Sequence, residues 1–364
     1  MVQRQKILAG FLITFLFLLL SIFVLVFLLH YGFVGIPHNL VAPVLKNRLT
    51  SRLAFPTLCW LLRHGPNDFD TGDGVVGHRS DIAWALGETA DPRAIPPLIA
   101  ALKNAVPYTR DPGAMVRHTP AARRSIALAL GKFGPQAEAA IPALLKVLGE
   151  GRNLLSDSVD FENIIYDTDA AALALAQIGA KEAIPLLIEK LNWSPCYERK
   201  HDEKAIEALG LLGPMAAPAV AQLSQVLLSE QRTILSRRLA ANTLGLIGDS
   251  RAVPALTKAL SEEYAIAQES IIAFELMGPS GKMAVPAIVD LLSNPSLPRV
   301  DPITGVRYYS GRPGEIRTMK WLATKALAAI RTEEAIAALH ALRNDPEICR
   351  EVEEALTEIS RTKK

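Results

Sequence analysis

Along most of the chain, apolar residues return at helical spacing in short blocks, and a proline opens nearly every second block. In ANTLGLIGDSRAVPALTKAL, Ala240, Leu244 and Ile247 fall on one face of a helix. Gly248 closes that helix, because glycine enters the left-handed cap conformation with little strain. Asp249 is placed to cap the next helix, and Pro254 lies in its first turn, where no N–H is needed. Val253, Leu256 and Leu260 then form a second apolar stripe. Two short helices cannot bury both stripes alone, so copies of the unit must stack. The pattern predicts an all-α solenoid.

The second block recurs with prolines at Pro96, Pro142, Pro185, Pro218, Pro254 and Pro286. Weaker copies flank these, AFPTLCWLL from Ala54 and a last one with Ala337 in the proline's place, and successive copies stand 32 to 51 residues apart. DSRAVPALTKAL and DPRAIPPLIAAL resemble HEAT repeats of the subtype named after phycobilisome lyases, over roughly residues 39 to 343. The resemblance implies a right-handed α-solenoid of about eight HEAT-like helix pairs. It also implies that binding other macromolecules is the usual task of such a surface.

Both ends depart from the repeat. Ile7–Leu29 is twenty-three residues without a charge, about 34 Å of helix and enough to cross a hydrocarbon core. It reads as a transmembrane signal anchor, preceded by a basic tail (residues 1–6) and followed by a linker (residues 30–38), with the solenoid over residues 39–364. Arg4 and Lys6 before the span favour a cytoplasmic N-terminus and an extracytoplasmic solenoid, against which Lys46, Arg48 and Arg52 act. The amphipathic stretch Asn39–Leu53 either opens the first repeat or lies in lipid headgroups. Pro346–Ser360 reads as a charged C-terminal capping helix.

Charge changes the picture in one respect. The chain carries 39 Lys+Arg against 37 Asp+Glu, and without the first thirty residues the balance is zero. A neutral solenoid generates no long-range field for a polyanion, which argues against nucleic acid as partner. Three cysteines, Cys59, Cys196 and Cys349, are too scattered for a disulfide framework or a zinc site.

Candidate binding residues lie where the repeat is interrupted. Insertions at Asn104–Pro120, Gly151–Asp167, Asn192–Asp202 and Asn294–Ile316 each follow a second helix, so they project from one edge. They hold five of the seven tyrosines. Tyr108, Arg110, Trp193, Tyr197, Arg199, Arg307, Tyr308, Tyr309 and Arg312 are the candidate partner-binding residues, being of the types that dominate interface energetics. The alternative is that these segments are solvated spacers whose aromatics pack back on the repeats. The second insertion is acidic, with Asp157, Asp160, Glu162, Asp167 and Asp169 in and beside it. The face of the second helices bearing Lys103, Lys146, Lys190, Gln222, Gln225 and Lys258 is a second candidate surface.

Motifs for chemistry are weak. Asp68–Gly74 resembles a calcium loop, but Asp73 and Arg79 occupy the positions where such a loop needs its glycine and its last carboxylate, so a turn is expected. His201 and Asp202 beside Cys196 could form a nucleophile with its base, without further support in the sequence. No catalytic residue, metal ligand or cofactor is assigned.

The expected function is therefore a membrane-anchored, non-enzymatic adaptor that holds a protein partner. The resemblance supplies the alternative: an enzyme or enzyme subunit like the phycobilisome lyases, which attach bilins to cysteines. A nucleic-acid-binding HEAT protein is the remaining reading, disfavoured by the charge balance.

Overall fold

The computed structural model describes residues 55–56, 58–60, 62–63, 69–70, 75–76, 78–105, 117–118, 121–150, 161–192, 202–293, 298–300, 307–309 and 313–362. The apolar run Ile7–Leu29 and the stretch Asn39–Leu53 lie outside the described residues. The chain divides into two compact units, Met1–Ala180 and Lys181–Lys364.

In the first unit, α1 (His78–Glu88) is followed by α2 (Ile95–Asn104), α3 (Ala121–Lys132) by α4 (Ile141–Glu150), and α5 (Phe161–Ile178) closes the unit. The first helices stack in order, α1 on α3 and α3 on α5, while α2 and α4 pack against the first helix that follows each of them. In the second unit α6 (Ile184–Leu191) precedes four pairs: α7 (Glu203–Leu212) with α8 (Val220–Leu228), α9 (Ile234–Ile247) with α10 (Val253–Ala259), α11 (Tyr264–Met277) with α12 (Val285–Ser293), and α13 (Pro313–Ile330) with α14 (Glu333–Ala341). A last helix, α15 (Cys349–Thr362), packs on α13 and α14. Its strong amphipathicity suits the predicted cap, but it starts three residues later than the sequence suggests. Asp345 accepts the Glu347 N–H at 2.9 Å and holds Pro346–Ile348 as a turn.

The local reasons are those the pattern predicts. Asp249 Oδ1 accepts the Arg251 N–H at 2.9 Å, and Asp91 Oδ1 accepts the Arg93 N–H at 3.0 Å, each capping the short 3-10 turn that leads into a second helix. Gly248 takes φ +71° at the end of α9. Ala90 and Arg331 take the same left-handed place in their repeats without being glycine. The stripes Ala240, Leu244, Ile247 and Val253, Leu256, Leu260 are buried. Close approach of successive first helices rests on small residues: a Cβ added at Gly245 would sit 2.6 Å from the Ala273 Cα.

Among the described residues, two short strand ladders interrupt the otherwise all-helical chain. Phe69–Asp70 (β1) pairs antiparallel with Val75–Val76 (β2) and with Arg117–His118 (β3), and Pro298–Val300 (β4) pairs antiparallel with Arg307–Tyr309 (β5). These short strands lie between helix pairs, where backbone N–H and C=O groups have no helix to satisfy them. Asp68 and residues 71–74 of the calcium-like segment lie outside the described residues. Among the described residues, Glu203–Leu228 is long and apolar enough to cross a membrane. It consists of α7 and α8, turned at Gly213 (φ +56°), with Ile206, Leu209, Leu223 and Leu227 buried in the helix stack.

Candidate functional site

Consecutive second helices α8 and α10 each begin near a proline and carry an alanine on their facing sides, Ala221 and Ala255. Small side chains there leave an open groove of about 450 Å³, walled by Val220, Leu228 and Pro254 and rimmed by Lys258 and Arg251. Its surface is mainly apolar. Arg251 is held by Asp249 (Nε to Oδ1 3.0 Å, Nη2 to Oδ2 2.6 Å) and donates to the Ala217 carbonyl at 3.0 Å. The Arg251 hydrogen bond draws the Asp249 carboxyl below its ordinary range, and Asp249 in turn raises Arg251. Ser224 turns its hydroxyl to the Val220 carbonyl, so Lys258 and the Asp249-held Arg251 are the charged groups lining the groove.

Of the second-helix residues picked out from sequence, Lys258 lines this groove, whereas Gln222 and Gln225 do not. Gln222 is tied to Asn192 at 3.0 Å. Lys190 does not belong to the surface: it is 1 % exposed, inside the second unit. A lysine at the end of a short helix looks solvated in sequence, and only the neighbouring packing encloses it.

Of the insertion residues, Arg307, Tyr308 and Tyr309 are brought onto one strand, with Tyr308 opposite Arg299 and Tyr309 opposite Pro298. Tyr108, Arg110, Trp193, Tyr197, Arg199 and Arg312 lie outside the described residues, as do Cys196 and His201. Asp202 is structural: Arg232 reaches its Oδ2 at 2.9 Å and Ser236 donates to Oδ1 at 2.9 Å. Asp167 is also displaced from its expected setting. It lies in the second turn of α5, 2 % exposed, instead of in a solvated loop.

A further set of residues escapes a reading by single repeats. Arg79, Arg123, Arg237 and Lys320 each stand eleven residues before a left-handed residue (Ala90, Gly134, Gly248, Arg331). Arg79, Arg123 and Arg237 reach the last residues of a second helix, where carbonyls lack partners and the helix dipole is negative, and Lys320 reaches two carboxylates that follow one. Arg79 donates to the Arg63 carbonyl at 3.2 Å and Arg237 to the Leu227 carbonyl at 2.7 Å. Arg123 reaches Glu150 at 2.6 Å, Arg237 lies 3.1 Å from Glu262, and Lys320 holds Asp345 at 2.7 Å and Glu347 at 2.6 Å. The hydrogen bond to Asp345, then that to Glu347, raises Lys320 above its ordinary range. The signal in sequence is the fixed offset from the turn.

With that geometry established, comparison with known proteins places the repeats. Residues 79–104, 122–150, 169–192 and 236–262 match the PBS lyase HEAT-like repeat. A phycocyanobilin lyase subunit alpha from Picosynechococcus sp. is 32% identical over 155 residues, 40% of this chain and 50% of that protein. The chain thus spans half the length of that curated relative. Among solved structures, Kap121p bound to Pho4p has a TM-score of 0.54 at 11% identity, covering 89% of this chain and 35% of Kap121p. The complex of CpcE and CpcF of phycocyanin lyase from Nostoc sp. aligns at 22% identity over 72% of this chain and 87% of that chain, with a TM-score of 0.38. The fold is thus that of HEAT-like helical repeats. Two expectations are overturned by the lyase relative: that the chain is not an enzyme, and that it serves as a membrane-anchored adaptor. A repeat surface can hold a reactive substrate without carrying a catalytic motif.

Proposed function

We propose that the chain is a subunit of a bilin lyase, acting on a linear tetrapyrrole and a cysteine-bearing client protein. The observation that carries this reading is the 32% identity to a phycocyanobilin lyase subunit over 155 residues. The groove between α8 and α10 supports it. A linear tetrapyrrole offers flat apolar rings and propionate carboxylates, which suit an apolar floor with a cationic rim at Lys258. Attachment adds a thiol across a carbon–carbon double bond: one C–S and one C–H bond form as S–H is lost, and no oxidant is needed. The protein's task is then positioning, holding the bilin and the client thiol in one orientation.

The insertion residues Tyr108, Arg110, Trp193, Tyr197, Arg199, Arg307, Tyr308, Tyr309 and Arg312 are proposed to contact the client protein, since Tyr and Arg concentrate binding energy at interfaces. Ile7–Leu29, as a single-pass anchor, would hold this subunit at a membrane. The test is titration of phycocyanobilin with the full-length protein, followed by visible absorbance. Saturable binding that Lys258→Glu weakens at least about tenfold supports the reading, and no spectral change at micromolar protein contradicts it.

A further inference from the structure

Arg123, in the first turn of α3, sits between two carboxylates that flank the second insertion on its two sides. Its Nη2 lies 2.6 Å from Glu150 Oε2, at the last residue of α4, and its Nε lies 3.6 Å from Asp167 Oδ2, in α5. Arg123 and Asp167 are 4 % and 2 % exposed, whereas Glu150 is 31 % exposed. Arg123 Nε and Asp167 Oδ1 make no hydrogen bond within the protein. One guanidinium thus faces two carboxylates and is well engaged with only one of them.

The same repeat position in the second unit is built differently. There Arg237 Nε is satisfied by the Leu227 carbonyl, and among the described residues Glu262 is its one carboxylate, paired with an Nη2 that makes no hydrogen bond. The first-unit cluster therefore carries one negative charge more than its counterpart whenever both acids are ionised. The other charges about Asp167 do not remove that excess. Arg124 on α3 is exposed, so water screens it, and Glu138, the one charge on the 3-10 segment packed against α5, is exposed as well.

We propose that Arg123, Glu150 and Asp167 form a proton-controlled joint between α3, α4 and α5. With Asp167 protonated the cluster is a neutral Arg123–Glu150 pair beside a neutral acid. Loss of the proton leaves a buried, uncompensated charge that loosens the packing of α5 on α3 and α4. Burial, more than the opposing pull of Arg123, pushes the Asp167 carboxyl up to about 7, with Glu150 adding to the rise. The joint would accordingly respond around neutral pH, whereas Arg237 has no second acid among the described residues.

The experiment is hydrogen exchange of the full-length protein between pH 5.5 and 8.5, corrected for intrinsic exchange rates and read on peptides from Asp167–Ile178. Protection of α5 should fall roughly tenfold between pH 6 and pH 8, while peptides from Ile234–Ile247 keep theirs. Asp167→Asn should make α5 insensitive to pH. Should that variant fail to fold, Glu150→Gln serves instead: removing the competing carboxylate should move the wild-type transition to lower pH. Flat protection in the wild type, an unchanged slope in Asp167→Asn, or an unmoved transition in Glu150→Gln would each overturn the proposal. None of these readouts depends on bilin binding, so the joint and the lyase reading stand or fall separately.

Discussion

Arg123 in the first unit and Arg237 in the second occupy the same place in their repeats, yet they close different circuits. Arg237 joins a helix-end carbonyl at 2.7 Å to one carboxylate. Arg123 has two carboxylates, one at 2.6 Å and one at 3.6 Å, the latter almost wholly buried. A repeat fold thus fixes where a cation goes but not what it neutralises. Exposed positions diverge in the same way. Two residues before the left-handed turn, the first unit pairs Glu88 with Lys132, while the second unit exposes Leu211, Leu246 and Leu276. The invariant part of each repeat is its core, and the variable part is how its edges handle charge.

Deleting the two arginines should separate the units most sharply. At pH 8, Arg123→Met leaves two carboxylates facing each other without a cation. It should cost about 3–5 kcal/mol, as removal of one member of a buried ion pair does. Arg237→Met leaves a buried carbonyl and a glutamate that water can reach, and should cost only about 1–3 kcal/mol. Denaturant unfolding of each variant checks the order, and equal losses would break the comparison. The Arg123→Met loss should also shrink at pH 5, where Asp167 is protonated.

Packing should not distinguish the units. Leu130 and Leu244 both stand four residues before the turn and are both 0 % exposed. Leu130→Ala and Leu244→Ala should each cost about 2–5 kcal/mol. Thermal unfolding that gave a large loss for one and almost none for the other would show that the repeats differ in their cores as well.

The pH dependence of stability sharpens the same contrast. The Asp167 carboxyl stands at about 7 in the folded protein, above its ordinary value near 4. Between those two values the folded state keeps a proton that the unfolded chain has released. Stability therefore falls as pH rises from about 4 to 7 and levels off above. The whole effect is a few kcal/mol at most, at about 1.36 kcal/mol per unit. Asp167→Asn should flatten this part of the profile and be more stable than wild type at pH 8. A wild-type profile with no decline across that interval would count against the assignment.

The smallest expected change in stability is that of Lys258→Glu on the groove rim, within about 0.5 kcal/mol, as for surface changes generally. Its effect should appear in bilin affinity alone. A melting temperature several degrees lower would mean that Lys258 supports the fold instead of the ligand.

Much of the architecture is legible in the sequence because it is local. The stripe of Ala240, Leu244 and Ile247, the stop at Gly248, the cap at Asp249 and the proline at 254 lie within one repeat, and each follows from backbone chemistry. The arginine row is less visible, since Arg237 and Leu227 belong to different repeats and meet only when these stack. Asp167 sits in an acidic run that reads as solvated, and its burial depends on the way α5 lies against α3 and α4. Lys190 misleads for the same reason. The α8–α10 groove is a case between these: Lys258 can be picked out, but the space beside it depends on two alanines a repeat apart. Chemistry is the least legible, because a surface that positions a substrate needs no nucleophile or metal motif.

The lyase reading is tested most directly by covalent attachment. The full-length protein, phycocyanobilin and an apo-phycobiliprotein would be incubated together and the acceptor examined by intact mass. The account predicts an acceptor heavier by one bilin, blocked by mutation of the acceptor cysteine, and formed faster or more completely than without this protein. An acceptor whose labelling is the same with and without the protein, in the presence of any second subunit the reaction requires, would contradict it.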